Sequence, residues 1–237
     1  MKHLAVLVLA MLATGLAATP PALAADPTGI GAPQDTEAEQ FSTRIDLSWG
    51  VALTSNYMSN GITQSDDRPA AQGYVELSSG IVYTSLWMSS VRLGDDIDGY
   101  DNVEFDLAWG IRPELGPLAF DIGYYRYLYD RTGNCCGEWI ATADWKLTDA
   151  LTLKGGVKYD PASHSRLAKA GFELGFAEKF SVSAEYQENL VDHVNDWNAG
   201  LGYQLSDTLS LDLRYYDTEV SDPRYVATLA WDFSTAE

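Results

Sequence analysis

Val103-Glu104-Phe105-Asp106-Leu107-Ala108-Trp109-Gly110-Ile111-Arg112 alternates strictly between large apolar side chains and acidic, small or basic ones. A strand turns successive side chains to opposite faces, so this stretch has one greasy face and one polar face. A helix would scatter the same acids around its cylinder. The period of two returns in Trp197 to Leu205, with Asn198, Gly200, Gly202 and Gln204 on the second parity. It returns again in Leu209 to Tyr215, interleaved with Ser210, Asp212 and Arg214. Over 70–78 and 81–91 the parity is ambiguous.

Extending the pattern along the chain predicts strands near 45–56, 70–78, 81–91, 102–112, 117–128, 138–147, 150–160, 166–176, 180–188, 195–205, 208–217 and 224–233. Short turns such as Ser79-Gly80, Thr148-Asp149 and Ser206-Asp207 alternate with longer polar connections at 57–69, 92–101, 129–137, 161–165, 189–194 and 218–223. Short turns on one rim and longer loops on the other form the outer-membrane pattern, periplasm against cell exterior. The expected fold is all-β, a transmembrane antiparallel up-and-down β-barrel of about twelve strands, with ten or fourteen also compatible.

Alternation alone also suits a water-soluble barrel or sandwich. Aromatic residues at the strand ends favour the membrane. Phe180 to Tyr186, Trp197 to Tyr203 and Tyr225 to Phe233 each begin and end in a ring. About eight tilted residues rise roughly 20 Å, close to the spacing between the two aromatic girdles of such a barrel. The last strand puts Tyr225, Ala227, Leu229, Trp231 and Phe233 on one face. Tyr225, Leu229, Trp231 and Phe233 are therefore candidates for the signal that the barrel-assembly machinery reads, although Ser234 to Glu237 follow the final ring.

The start of the chain points to export. Lys2 and His3 precede an apolar run from Leu4 to Ala18, and Pro20-Pro21-Ala22-Leu23-Ala24 closes with small residues. That is the plan of a cleaved secretory signal, placed here at 1–24 with Ala25 as the alternative end. Residues 25–43 lack periodicity and are expected to be a flexible periplasmic tail, with the barrel occupying 44–237. No downstream run reaches the ~20 apolar residues of a spanning helix.

Composition narrows the partners. The net charge of -19 opposes binding to nucleic acid, whose phosphates need a basic surface. Fourteen Tyr, seven Trp and seven Phe suit a chain whose partners are outer-membrane lipid and lipopolysaccharide. Cys135 and Cys136 are the only cysteines, so they form either a vicinal disulfide or a free pair in a loop, with a redox or metal role as the alternative, and cannot complete a four-cysteine zinc site. No cofactor is expected.

Taking the polar parity as inward, candidate pore-lining residues are Asp46, Glu104, Asp106, Arg112, Asp121, Asp144, Lys154, Lys158, Glu185, Asp212 and Arg214, joined by Glu173, Asp232, Lys146 and Lys169. Such charges cannot face acyl chains. Inward Gly50, Gly110, Gly123, Gly200 and Gly202 leave room for rings such as Tyr125 and Tyr127. About twelve strands lie between a side-chain-filled barrel and an open aqueous channel, so a small or partly occluded pore is expected. The function this supports is passive, weakly cation-biased diffusion of small solutes or ions. A plugged barrel serving as scaffold or adhesion surface is the alternative.

A lipid hydrolase is a further alternative. His164 and His193 fall in different loops, and no serine sits in a recognisable nucleophile motif, so no enzyme is expected. The segment Asp95-Asp96-Ile97-Asp98-Gly99-Tyr100-Asp101 has the spacing that opens a calcium loop, but Phe105 stands where the closing acid would fall.

Several stretches in the first half carry a family resemblance. Thr54-Ser55-Asn56-Tyr57, Gly61-Ile62-Thr63-Gln64-Ser65, Arg68-Pro69-Ala70-Ala71-Gln72-Gly73 and Trp87-Met88-Ser89-Ser90-Val91 resemble the TorF-type porins, formerly a family of conserved proteobacterial hypothetical proteins. Leu211-Asp212-Leu213-Arg214-Tyr215 extends the likeness toward the end. Where that family would place a basic residue between Tyr57 and Gly61, this chain has Met58-Ser59-Asn60. The resemblance implies a porin and supplies no catalytic or binding residues.

Overall fold

The computed structural model describes residues 43–236, in which every regular element is a strand. The signal segment 1–24 and nearly all of the tail 25–43 lie outside the described residues. In chain order the strands are β1 (Asp46–Thr54), β2 (Met58–Ser59), β3 (Ile62–Thr63), β4 (Ala70–Ser79) and β5 (Val82–Asp95). Next come β6 (Gly99–Ile111), β7 (Glu114–Leu115), β8 (Leu118–Tyr129), β9 (Gly133–Lys146) and β10 (Leu151–Tyr159). The chain ends with β11 (Arg166–Phe176), β12 (Phe180–Asn189), β13 (Asn195–Gln204), β14 (Leu209–Thr218) and β15 (Ser221–Ser234).

Twelve of these make one closed ring, each antiparallel to both neighbours: β1, β4, β5, β6 and β8 to β15. The first and last strands close it, from Ser48 opposite Ser234 to Thr54 opposite Thr228. β7 adds two residues beside the start of β8, and β2 with β3 forms a small ladder inside the first long connection. Closure leaves no open edge, which is the condition for strands to cross hydrocarbon.

The outward parity is apolar on every barrel strand. Val51 and Leu53, Leu107 and Trp109, Val157, Leu201 and Leu213 all remain exposed. In water such a surface would be an aggregation hazard; against acyl chains it is the proper solvent. Rings gather toward both rims. On the short-turn rim Trp49 stacks on Phe233 at 5.5 Å, and Phe180 lies between Phe176 at 5.7 Å and Tyr203 at 4.6 Å. On the long-loop rim Tyr215 lies between Trp197 at 5.3 Å and Tyr225 at 5.0 Å. Tyr225, Leu229, Trp231 and Phe233 of the candidate assembly signal all share this outward face of β15.

The structure corrects the loop lengths. Residues 92–101, 129–137 and 218–223 are for the most part strand: β5 and β6 pair to Asp95 opposite Gly99, β8 and β9 to Tyr129 opposite Gly133, and β14 and β15 to Thr218 opposite Ser221. Polar alternating residues beyond the lipid still pair when a neighbouring strand continues, and sequence alone cannot separate such an extension from a loop. Each of these hairpins breaks register at one point, between Ser90 and Leu93, between Tyr127 and Leu128, and between Tyr216 and Thr218. The ambiguous parity of β4 and β5 is also resolved: Gln72, Tyr83, Trp87 and Ser89 are buried inward, while Val75, Leu77, Val82 and Met88 point out.

Gly110 marks a tight place in the wall. A Cβ there would lie 2.6 Å from the Ile122 carbonyl oxygen and 2.8 Å from both Gly123 Cα and the Tyr83 ring. Backbone cannot yield as a flexible side chain does, so Gly110→Val is expected to destabilise the barrel by about 1–3 kcal/mol. A urea titration of the heat-modifiable folded form checks this. Gly155→Ala, whose Cβ would meet nothing nearer than the Lys169 carbonyl oxygen at 3.7 Å, should leave the midpoint unchanged.

Candidate functional site

The connection between β1 and β4 folds inward over the mouth. Tyr57, Met58, Gly61 and Ser65 within it are buried. Asn56 is its hub. The Asn56 Nδ2 donates to Asp67 Oδ1 at 2.8 Å, and its Oδ1 accepts from Thr63 Oγ1 at 2.6 Å. Ser65 Oγ accepts from the Tyr57 amide at 3.0 Å and lies 2.9 Å from Asn56 Oδ1. Asn56, Tyr57, Thr63 and Ser65 are among the residues that carried the family resemblance, and in the structure they shape this loop.

Both flanks of the loop are tied to the wall. On one side Tyr57 packs against Trp87 of β5 with ring centroids 5.4 Å apart, and the Arg92 amide donates to the Gln64 carbonyl at 2.8 Å. On the other side Asn60 Oδ1 lies 3.5 Å from Gln187 Nε2 of β12. Gly61 sits so close that a Cβ would be 2.8 Å from Asp196 Cβ and 3.0 Å from Thr218 Cβ. Its φ of +72° also favours glycine. Arg224 of β15 grips Asp67 through both carboxylate oxygens. The contacts therefore run along the ring from β5 through β4, β1, β15, β14 and β13 to β12. In the place of the missing basic residue, Met58 is buried with its sulfur 3.3 Å from Asn56 Nδ2, and Asn60 reaches the far wall.

Below the loop, the candidate lumen residues fall into two networks. Near the short-turn rim Arg112 pairs with Glu76 at 2.5 and 2.9 Å and with Asp121 at 2.9 Å, its guanidinium 3.8 Å from the centroid of the Tyr83 ring. Tyr83 donates to Asp121 at 2.7 Å, and Tyr74 donates to Asp232 at 3.1 Å. Across the barrel, Arg214 contacts Asp212 at 3.1 Å, Asn198 at 2.5 Å and Ser183 at 2.8 Å. Lys154 bridges Glu173 at 2.8 Å and Asp144 at 4.0 Å, while Lys169 pairs with Glu185 at 3.2 Å. Burying charges this way is tolerable because each gains an opposite charge and hydrogen bonds.

Solvent access differs around the ring. The side chains of Asp121 and Asp212 are 8% and 5% exposed, whereas Lys154, Glu173 and Glu185 keep 39%, 26% and 27%. The most accessible of these paired inward charges, Lys154, Glu173 and Glu185, thus lie together toward the short-turn end of β10 to β12, although Lys169 among them keeps 10%. Glu104, Asp106 and Lys158 are buried on their strands' inner faces, and Asp46 pairs with Arg44 at 2.9 Å near the short-turn rim.

Parity reasoning missed four inward acids. Glu76 lies on the strand whose parity was ambiguous; Asp101 and Glu138 lie in segments read as loop or strand end; Asp196 shares the parity of Asn198 and could have been found from it. Lys146 keeps the inward parity opposite Thr152 but, as the last residue of β9, lies half-exposed at the short-turn rim, 3.7 Å from Asp149.

Cys135 and Cys136 form a vicinal disulfide in the β8–β9 hairpin, at the register break. The acids of the candidate calcium loop serve the hairpin tips. Asp95 Oδ1 accepts from the Ile97 and Asp98 amides at 2.9 and 2.8 Å, which holds its carboxyl below the usual range. Asp101 accepts from the Arg131 and Thr132 amides, both at 2.9 Å. Among the described residues no His, Cys, Asp or Glu cluster is placed to hold a metal ion. His164 Nδ1 lies 3.2 Å from Tyr159 Oη and His193 Nδ1 lies 2.9 Å from Glu188, so each histidine is engaged within its own hairpin.

A closed ring of twelve antiparallel strands, apolar and ringed by aromatics outside and charged within, defines a transmembrane β-barrel. This chain belongs to the family described as a bacterial protein of unknown function (Gcw_chp), whose model matches residues 37–179. No curated protein matches it in sequence. In structure it is similar to the KdgM porin, at 7% identity over 79% of this chain and 99% of that one, with a TM-score of 0.59. The KdgM porin in complex with disordered oligogalacturonate is similar at 8% identity over 79% and 99%, with a TM-score of 0.57. At these identities the likeness is one of fold.

The Asp67–Arg224 tie gives a pH dependence. Hydrogen bonding to Arg224 holds the Asp67 carboxyl below its ordinary value. A depressed folded value means the tie is complete above the unfolded value and is lost as pH falls through the folded one. Amide-exchange protection of the 57–69 loop should therefore be flat from neutral pH down to about 4 and fall below it. In Asp67→Asn this contribution to the acid-side fall should be absent.

Proposed function

We propose that this protein is a small outer-membrane porin in which the 57–69 loop narrows the mouth and solutes pass beside the wall of β9 to β12. The observation that carries this reading is the unequal accessibility of the inward charges: the loop binds the side from β5 to β12 by way of β1, while Lys154, Glu173 and Glu185 stay accessible to solvent within the ring. The pore-lining set read from the sequence is kept, apart from Lys146, with Glu76, Glu138 and Asp196 added. The inward acids outnumber the bases, which favours passage of cations over anions of equal size.

The remaining assignments follow from that placement. Residues 1–24 are a signal removed on export, 25–43 a periplasmic tail, and the long-loop rim faces the cell exterior. Lipopolysaccharide surrounds the barrel, and Tyr225, Leu229, Trp231 and Phe233 present the final strand to the barrel-assembly machinery. The TorF-type porin label belongs to this proposal. So does the absence of catalysis, which accords with histidines that are each held within a separate hairpin.

The test is single-channel conductance of the refolded mature protein under a salt gradient. Discrete steps with a cation-selective reversal potential are expected. Lys154→Gln should shift that potential further toward cations and Glu173→Gln should shift it back. A folded, heat-modifiable barrel that conducts nothing would overturn the porin reading in favour of a scaffold.

A further inference from the structure

The outward wall is not uniformly convex. A groove of about 460 Å³ runs over β8 to β11, bounded by Ile122, Ala141 and Val157 below, by Trp139 and Tyr159 above, and by Leu190 at one side. Its lining is almost wholly apolar, except at its head, where Arg166 stands. Cross-strand register explains the position. Trp109, Tyr124, Trp139, Tyr159 and Arg166 are successive partners on β6, β8, β9, β10 and β11, all outward, so a stepped ladder of rings ends in a guanidinium. Trp109–Tyr124 and Tyr124–Trp139 centroids are 5.2 and 5.1 Å apart.

A second outward cation is near. Arg126 is one rung beyond Tyr124 on β8, opposite Gly137. Three strand spacings and one rung put it about 15 Å from Arg166, counting Cα positions. Elsewhere near the long-loop rim Arg68 and Arg92 pair with Asp66 and Arg224 with Asp67, while the Arg131 guanidinium lies against Gly99 at the β5–β6 hairpin tip, away from the lipid-facing wall. Among the described residues Arg126 and Arg166 have no acid within ion-pair distance. In a chain of net charge -19, two uncompensated cations on the lipid-facing wall call for an anion from outside.

We propose that this groove binds one phosphorylated glycolipid of the outer leaflet, with an acyl chain laid along Ile122, Ala141 and Val157 and phosphate held by Arg166 and Arg126. The proposal rests on the barrel's standing in the outer membrane with its long-loop rim outward. The aromatic ladder supplies a wall for the chain at the depth where the headgroup begins. Guanidinium groups suit phosphate because their donors pair with its oxygens in a plane.

Native mass spectrometry of the detergent-purified, folded barrel tests this, titrated with diphosphoryl lipid A and separately with phosphatidylcholine. One lipid A per barrel is expected, retained in clear preference to phosphatidylcholine. The double substitution Arg126→Gln and Arg166→Gln should weaken retention by about tenfold or more, since charge-assisted hydrogen bonds are lost. Ala141→Trp, which fills the groove without touching charge, should weaken it as well. Equal retention of the two lipids, or lipid A retention unchanged in either variant, would overturn the site. Heat-modifiable migration verifies folding of each variant. Conductance is measured on the same samples: it reports the lumen, so loss of lipid binding and loss of the porin reading are told apart.

Discussion

A backbone N–H or C=O without a partner in hydrocarbon costs several kcal/mol, and this requirement governs the whole molecule. Only a ring of strands meets it without helices. The pairing of β1 with β15 is therefore the contact on which the rest depends: it removes the last open edge and brings Trp49 beside Phe233. Once the ring is closed, the two parities acquire opposite solvents. The outer one must be apolar, and the inner one is free to carry charge.

The charges then create their own constraint. Within a ring of this size, inward side chains from facing walls cannot avoid one another, so acids and bases are matched in place. Arg112 satisfies Glu76 and Asp121 together, and Arg214 gathers Asp212, Asn198 and Ser183. Glycines on the inner face make room for these large groups: a Cβ on Gly200 would come 2.8 Å from the Arg214 guanidinium carbon. The interior is thus a scaffold of ion pairs with one more accessible side. The proposed passage along that side and the rigidity of the wall draw on the same residues.

The mouth and the lipid face show how loops and surfaces are specialised on a common ring. Asn56 turns the first long loop inward with hydrogen bonds from one side chain, while Tyr57 and Asp67 fix it to β5 and β15. The other hairpins continue the wall instead. On the outside, an otherwise lipid-compatible face carries two unmatched arginines beside a depression.

The strand number was legible in the sequence because alternation is a local property: Glu104, Asp106 and Arg112 share a parity whatever surrounds them. The ends of strands were less legible, since residues such as Asp95 and Gly99 pair only because a partner continues beyond the lipid. The destination of the 57–69 loop was not legible at all. Its motif residues were visible as a pattern, but Asn60 meets Gln187 across 127 residues of chain. The same holds for Arg112 with Glu76 and for the course of the groove from Trp139 to Arg166. Parity assigns a side chain to a face, and only the closed curvature of the ring decides which faces confront each other.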